Sequence, residues 1–178
     1  MANRLLRTLV LLLYALSVAA PALAVPPADK ANAEELLRKG DQYVLDGKLN
    51  QARGAYERAL AAGANLSTDY TRAQNLGMIY MNGTPRDFAK AAKWLDMAWK
   101  MRTSADDTRL ALAQALSWSG KYDAALEHFR ALVQKNPDTA EYVTGLANTL
   151  YWAGKQEEAF NAYQHYLERK PSNVAMRL

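Results

Sequence analysis

The pair Gly120-Lys121 recurs 34 residues later as Gly154-Lys155. A set of residues moves with it: Leu112 with Leu146, Ala113 with Ala147, Leu116 with Leu150, Trp118 with Trp152, Ala125 with Ala159 and Pro137 with Pro171. A period of this length, carrying a small residue, an aromatic and a closing proline, marks a helix-turn-helix unit that stacks on copies of itself. A chain built this way buries its core between units and leaves a long curved surface free, which suits binding better than chemistry. The expected fold is all-α, a right-handed solenoid over residues 33–178. Its units fall at about 33–66, 67–105, 106–139 and 140–173, and residues 174–178 open an incomplete fifth.

Residues 1–24 read as an export signal. Arg4 and Arg7 give a positive start, Thr8 to Ala20 is an almost unbroken apolar run, Pro21 interrupts it, and Ala22-Leu23-Ala24 offers a small-x-small cleavage site. The run is about 13 residues, short of the ~20 that a spanning helix needs, so membrane contact is expected only through this segment before its removal. The mature chain is expected to begin near Val25, in the periplasm, with a flexible leader over residues 25–32 marked by Pro26-Pro27. There is no cysteine, so disulfides, thiolate metal sites, a cysteine nucleophile and a lipidated cysteine are all excluded, and stability must come from packing. The whole chain carries 22 basic and 18 acidic residues. Cleavage would remove Arg4 and Arg7, leaving 20 against 18, a balance too even to point to nucleic acid.

In the first unit, Gly40, Tyr43, Gly47, Ala52, Tyr56 and Ala59 fit two amphipathic helices around an Asp46-Gly47-Lys48 turn. Gly40 and Ala52 let the helix axes approach, while Tyr43 and Tyr56 fill the space between layers. The spacing resembles the tetratricopeptide repeat family at nearly every signature place except the closing proline, where Ala64 stands. The second unit departs. Leu76-Gly77, Tyr80, Gly83, Asp87, Lys90-Ala91, Trp94 and Ala98 resemble the related Sel-one-like repeat, which has a longer helix-helix turn. Gly40 to Gly77 is 37 residues and Gly77 to Ala113 is 36, which places the extra length in the turn from Asn82 to Asp87 and in the linker before it. In that turn Asn82-Gly83 is expected to supply a left-handed conformation, Pro85 to stop the first helix and Asp87 to cap the second. Units three and four return to strict form. Their Trp-x-Gly-Lys turns resemble those of bacterial envelope tetratricopeptide proteins, and Pro137 and Pro171 close their second helices.

Nothing in the chain frames a catalytic site. His128 and His165 fall at different places in their units and neither has a metal-ligating partner at helical spacing, so both read as structural. No nucleophile elbow and no phosphate loop is present, and neither a cofactor nor a metal is expected. The resemblance instead implies that the first helix of each unit lines a concave surface. The groove-facing set would then be Leu37, Asp41, Val44, Leu45, Gln74, Met78, Met81, Asn82, Gln114, Ser117, Trp118, Thr144, Asn148, Tyr151 and Trp152.

Two readings compete for Trp118 and Trp152. They form an aromatic floor that grips a peptide or stacks on sugar rings, or they fill the core between units beside the turn. Their bulk favours the core, with exposed edges left to a ligand. The corresponding faces carry Gln114 and Asn148 and few cations, so a clamp for a buried terminal carboxylate is not expected. The resulting expectation is a non-enzymatic periplasmic scaffold that binds a protein or peptide, by resemblance in envelope assembly or exopolysaccharide secretion. The rival is a carbohydrate-binding module working through Trp118, Tyr151 and Trp152. With so little sequence after the fourth unit, Phe160, Tyr163 and Leu167 are expected to form an exposed apolar stripe, and the chain to self-associate through that end.

Overall fold

The computed structural model describes residues 27–170, and the segment that reads as an export signal and the residues that would open a fifth unit lie outside them. The described residues form eight helices and no strand: α1 (Pro27–Leu45), α2 (Leu49–Ala61), α3 (Tyr70–Asn82), α4 (Phe88–Met101), α5 (Asp106–Trp118), α6 (Tyr122–Lys135), α7 (Ala140–Trp152) and α8 (Gln156–Arg169). None is long and apolar enough to cross a membrane. Each helix packs chiefly on its neighbours in sequence, first within a pair and then onto the next pair, as a solenoid requires. In addition α3 touches α5 and α5 touches α7. First helices therefore approach one another across unit boundaries, which places them on the inner side of the curve.

The 34-residue period is visible as geometry. In the turn after α5, Gly120 takes φ 79° and the Lys121 amide donates to the Leu116 carbonyl at 2.9 Å. After α7, Gly154 takes the same φ and Lys155 donates to Leu150 at 2.8 Å. A left-handed residue here closes the helix by satisfying carbonyls its own last turn leaves free, and glycine adopts that conformation without a Cβ clash. Three residues suffice for these turns. The second unit uses five, residues 83–87, and eight in the linker before it, residues 62–69.

Two sequence expectations are corrected. The leader does not extend to residue 32, because α1 starts at Pro27: proline is well suited to the first turn of a helix, and the alanines, lysine and glutamates that follow favour helix. Buried Ala33 and Leu37 then hold α1 against the array, which also removes Leu37 from the groove. Gly83 is extended rather than left-handed, with φ −75° and ψ 178°. Its small size answers a close approach instead, since a Cβ there would lie 2.6 Å from the Ile79 carbonyl oxygen. Asp87 caps α4 as expected, accepting the Lys90 amide at 2.9 Å.

The core is a run of buried aliphatic, alanine and aromatic side chains from Leu37 to Leu112, continued by a second cluster around Leu126, Phe129, Leu146 and Leu150. Contact between α2 and α3 is sparser than at the later joints, and polar ties supplement it. Arg72 reaches from α3 to Asp41 on α1, with Nη2 at 2.9 Å and Nε at 3.1 Å from Oδ2. The Tyr80 hydroxyl donates to Glu57 at 2.6 Å. Arg53 on α2 donates to the carbonyls of Thr84 and Pro85, each at 2.9 Å, and Asn50 accepts the Thr84 amide at 3.1 Å. The long turn of the second unit is thus held by the first.

Candidate functional site

The inner face of α5 and α7 carries a continuous groove with two lobes. The larger, about 560 Å³, is lined by Arg86, Phe88, Ser117, Trp118, Tyr122 and Trp152. The smaller, about 250 Å³, is lined by Gln114, Ser117, Trp118, Thr144, Asn148 and Trp152 among others, with Glu141 at its edge. Trp118 and Trp152 are common to both. They end α5 and α7, one period apart, so the same helical phase that buries Leu116 and Leu150 more deeply turns both indoles outward.

Both tryptophans are partly covered and present an open edge to the groove. Trp118 is 45% exposed and Trp152 47% exposed. Phe88, at the start of α4, supports Trp118 with ring centroids 5.2 Å apart and planes inclined by 54°, and Trp118 remains 45% exposed beside it.

The amide lobe is ordered by hydrogen bonds. Asn148 accepts the Tyr163 hydroxyl at 2.9 Å through Oδ1, leaving its NH₂ group toward the groove side of α7 free of a protein partner. Gln114 donates to Glu141 across the groove at 3.3 Å. Ser117 is buried, and its hydroxyl lies 2.9 Å from that of Thr149. Since Thr149 donates its own proton to the Gly145 carbonyl at 2.6 Å, Ser117 is the donor of this pair and contributes only its edge to the lining.

Of the sequence-predicted set, the structure brings together Gln114, Ser117, Trp118, Thr144, Asn148 and Trp152. The remainder lie elsewhere. Asp41 is engaged in the scaffold, accepting the Tyr56 hydroxyl at 2.7 Å and pairing with Arg72. Burial and then this bond push the Tyr56 phenol far above its usual range, while the bond to Asp41 raises the Arg72 guanidinium above its own. Gln74 donates to the buried Thr108 hydroxyl at 3.0 Å, which also meets Tyr70 at 2.7 Å. Met81 is buried, and Val44 and Met78 pack half-buried against the first core cluster. Leu45 and Asn82 are exposed but line neither lobe. Tyr151, although 62% exposed, also lines neither, because one residue's rotation around α7 separates it from Trp152.

Sequence reasoning missed Arg86, Phe88 and Tyr122. Tyr122 opens α6, and its place beside the Gly120-Lys121 turn was a usable signal. Arg86 and Phe88 come from a different unit, on and beside the 83–87 turn that Arg53 and Asn50 hold. Outside the groove, His128 is half-buried in a T-shaped contact with Trp99, ring centroids 4.8 Å apart. His165 is exposed, 3.6 Å from Glu168. In the last helix, Phe160 is 60% exposed, but Tyr163 and Leu167 are half-buried, which narrows the expected stripe to Phe160 among the described residues.

The family of the repeat follows from comparison. The tetratricopeptide repeat family matches over residues 110–174. No curated protein is detectably similar in sequence. Among solved structures, the fold is similar to YrrB, a tetratricopeptide protein with an unusual peptide-binding site. The TM-score is 0.68 at 20% identity, covering 83% of this chain and 74% of that one. It is also similar to MamA, with a TM-score of 0.63 at 20% identity over 85% of this chain and 80% of that one. The MSR-1 form of MamA gives 0.65 at 22% identity, over 84% and 83%. At these identities the likeness is one of fold. The tetratricopeptide-repeat match thus falls on the last two units, and with the helix pairs and the repeated glycine turns the described residues form an all-α solenoid of tetratricopeptide-like fold.

Proposed function

We propose that the chain is a non-enzymatic scaffold that binds a segment of another protein in the groove between α5 and α7. The observation that carries this reading is the pair of exposed indoles, Trp118 and Trp152, one period apart and flanked by the amides of Gln114 and Asn148. Large exposed aromatics at the centre of a concave surface are the residues that dominate protein interfaces, and amides both donate to and accept from a peptide backbone. The peptide-binding site of YrrB, a protein of the same fold, supports a peptide as occupant. The export signal supports a periplasmic location. The five-residue second turn supports reading that unit as Sel-one-like, and a mixed array in the envelope fits assembly or exopolysaccharide secretion. Phe160 offers a point for self-association.

Capture from periplasmic extract is the test, with wild type and Trp118→Ala compared by mass spectrometry. A protein retained by the first and lost by the second, with equal melting, supports the groove; identical captures refute it. Because exposed indole faces flanked by amides also suit sugar rings, calorimetry with soluble polysaccharide runs beside it. Trp118-dependent heat with polymer, in the absence of a captured protein, would make the chain a carbohydrate-binding module instead. Intact mass of the exported protein decides the signal, where retention of residues 1–24 in the membrane pellet counts against cleavage.

A further inference from the structure

The groove has a charge polarity that the first helices alone do not supply. Arg86 lies at the edge of the larger lobe, exposed, and its guanidinium makes no ion pair or hydrogen bond with any described residue. By contrast Arg53 is engaged with the turn carbonyls, Arg72 with Asp41, Arg130 with Glu158 and Arg169 with Asp138. At the far lobe the charge is reversed, with Glu141 at the rim. Two acids flank the Arg86 end. Asp87 is occupied as the cap of α4 and lies 3.5 Å from the Lys90 ammonium, and Asp123 sits in the first turn of α6, where the helix N-terminus favours it. Lys121 adjoins Tyr122 on the same side.

The cation is placed, not incidental. Its turn is gripped by two hydrogen bonds donated by Arg53 and one accepted by Asn50 from the Thr84 amide, and closed by the Asp87 amide donating to the Tyr80 carbonyl at 2.9 Å. The backbone that carries Arg86 is therefore fixed beside Phe88 and Trp118, and binding has only the arginine side chain left to order there.

Resting on the peptide-groove reading above, we propose that the groove selects internal peptide segments in which an aspartate or glutamate neighbours a large apolar side chain. The apolar side chain enters among Phe88, Trp118, Tyr122 and Trp152, and its acidic neighbour meets Arg86. The segment then runs over the amide lobe with its less acidic end toward Glu141, which repels a carboxylate there. A side-chain carboxylate is the occupant rather than a chain terminus. One exposed guanidinium suffices for an acid that stays partly in water, whereas a buried terminus needs several converging donors.

A phage-displayed library of random short peptides, selected on the full chain, tests this. Enriched sequences are expected to set Asp or Glu beside Leu, Phe, Tyr or Trp. A fluorescein-labelled winner is expected to lose about tenfold in affinity on Arg86→Gln, and about tenfold on replacing its own acid by glutamine. The two losses should not add, because they remove the same pair. Raising salt should weaken wild-type binding and leave Arg86→Gln nearly flat. Peptides that need Trp118 but ignore Arg86→Gln would overturn this inference and leave the groove reading standing. Failure to enrich any Trp118-dependent peptide, whether or not soluble polysaccharide binds, would overturn both. Melting of Arg86→Gln equal to wild type confirms that the exposed substitution leaves the fold intact.

Discussion

Replacing Gly145 by alanine isolates the force that joins the last two units. Gly145 lies in the middle of α7 against the ring of Phe129 on α6, and an alanine Cβ would stand 2.6 Å from Phe129 Cζ and 2.9 Å from Cδ1. The ring cannot swing into solvent: Phe129 is fully buried, in a cluster with Ala113, Leu146, Ala147 and Leu150. With three ring atoms inside 3.0 Å the overpacking cost falls in the upper part of its usual range, about 2–3 kcal/mol, and the better helix propensity of alanine returns about 1 kcal/mol, for a net loss of about 1–2 kcal/mol. For a domain of this size the melting temperature should fall by about 3–6 °C. Gly54 is the control. It is also inside a helix, α2, but an added Cβ meets nothing within 4 Å, so Gly54→Ala should stabilise by up to about 1 kcal/mol. The assay is thermal and urea unfolding of both variants, with Phe129→Leu added to each. Phe129→Leu should relieve the Gly145→Ala penalty, giving a coupling of about 1 kcal/mol, and should be additive with Gly54→Ala. A Gly145→Ala variant as stable as wild type, or one whose loss is unaffected by Phe129→Leu, would refute close packing at this joint.

Other outcomes follow from the same structure. Trp118→Ala should weaken a bound partner by about 1–3 kcal/mol with little change in melting, whereas Tyr151→Ala, exposed but outside both lobes, should leave binding within about 0.5 kcal/mol of wild type. Titration calorimetry separates them, and equal losses would show the groove to be misplaced. Asp41→Ala should leave binding unchanged yet destabilise by about 1–3 kcal/mol, since it strips the buried Tyr56 hydroxyl and Arg72 of their shared partner; urea unfolding reads this. Burial, and after it the Arg109 charge, hold the His128 imidazole below its ordinary value, against a smaller opposing pull from Asp96 and Glu127. The unfolded chain therefore binds the proton first as pH falls. Stability contributed by neutral His128 is full above about pH 6.5 and is lost as pH drops from there to the lower folded value. Melts between about pH 7.5 and 5.5 should show this slope in wild type and not in His128→Gln.

The all-α repeat and the positions of its turns were legible in the sequence because they depend on local chemistry. Gly120 and Gly154 are demanded by a left-handed turn, and Asp87 caps the next helix, whatever surrounds them. The resemblance to the tetratricopeptide repeat likewise implied a shared face for Gln114, Trp118, Asn148 and Trp152. What periodicity does not hold is depth and neighbourhood. It could not tell an exposed indole from a packed one at Trp118, since that depends on how much room the adjacent unit leaves. Nor could it see Asp41 captured by Arg72, or Tyr151 turned away from Trp152. Arg86 reached the aromatic pocket through a turn held by Arg53, 33 residues earlier in the chain. Contacts between units are set by the packing of whole layers, so the charge of the groove was decided only by the tertiary structure.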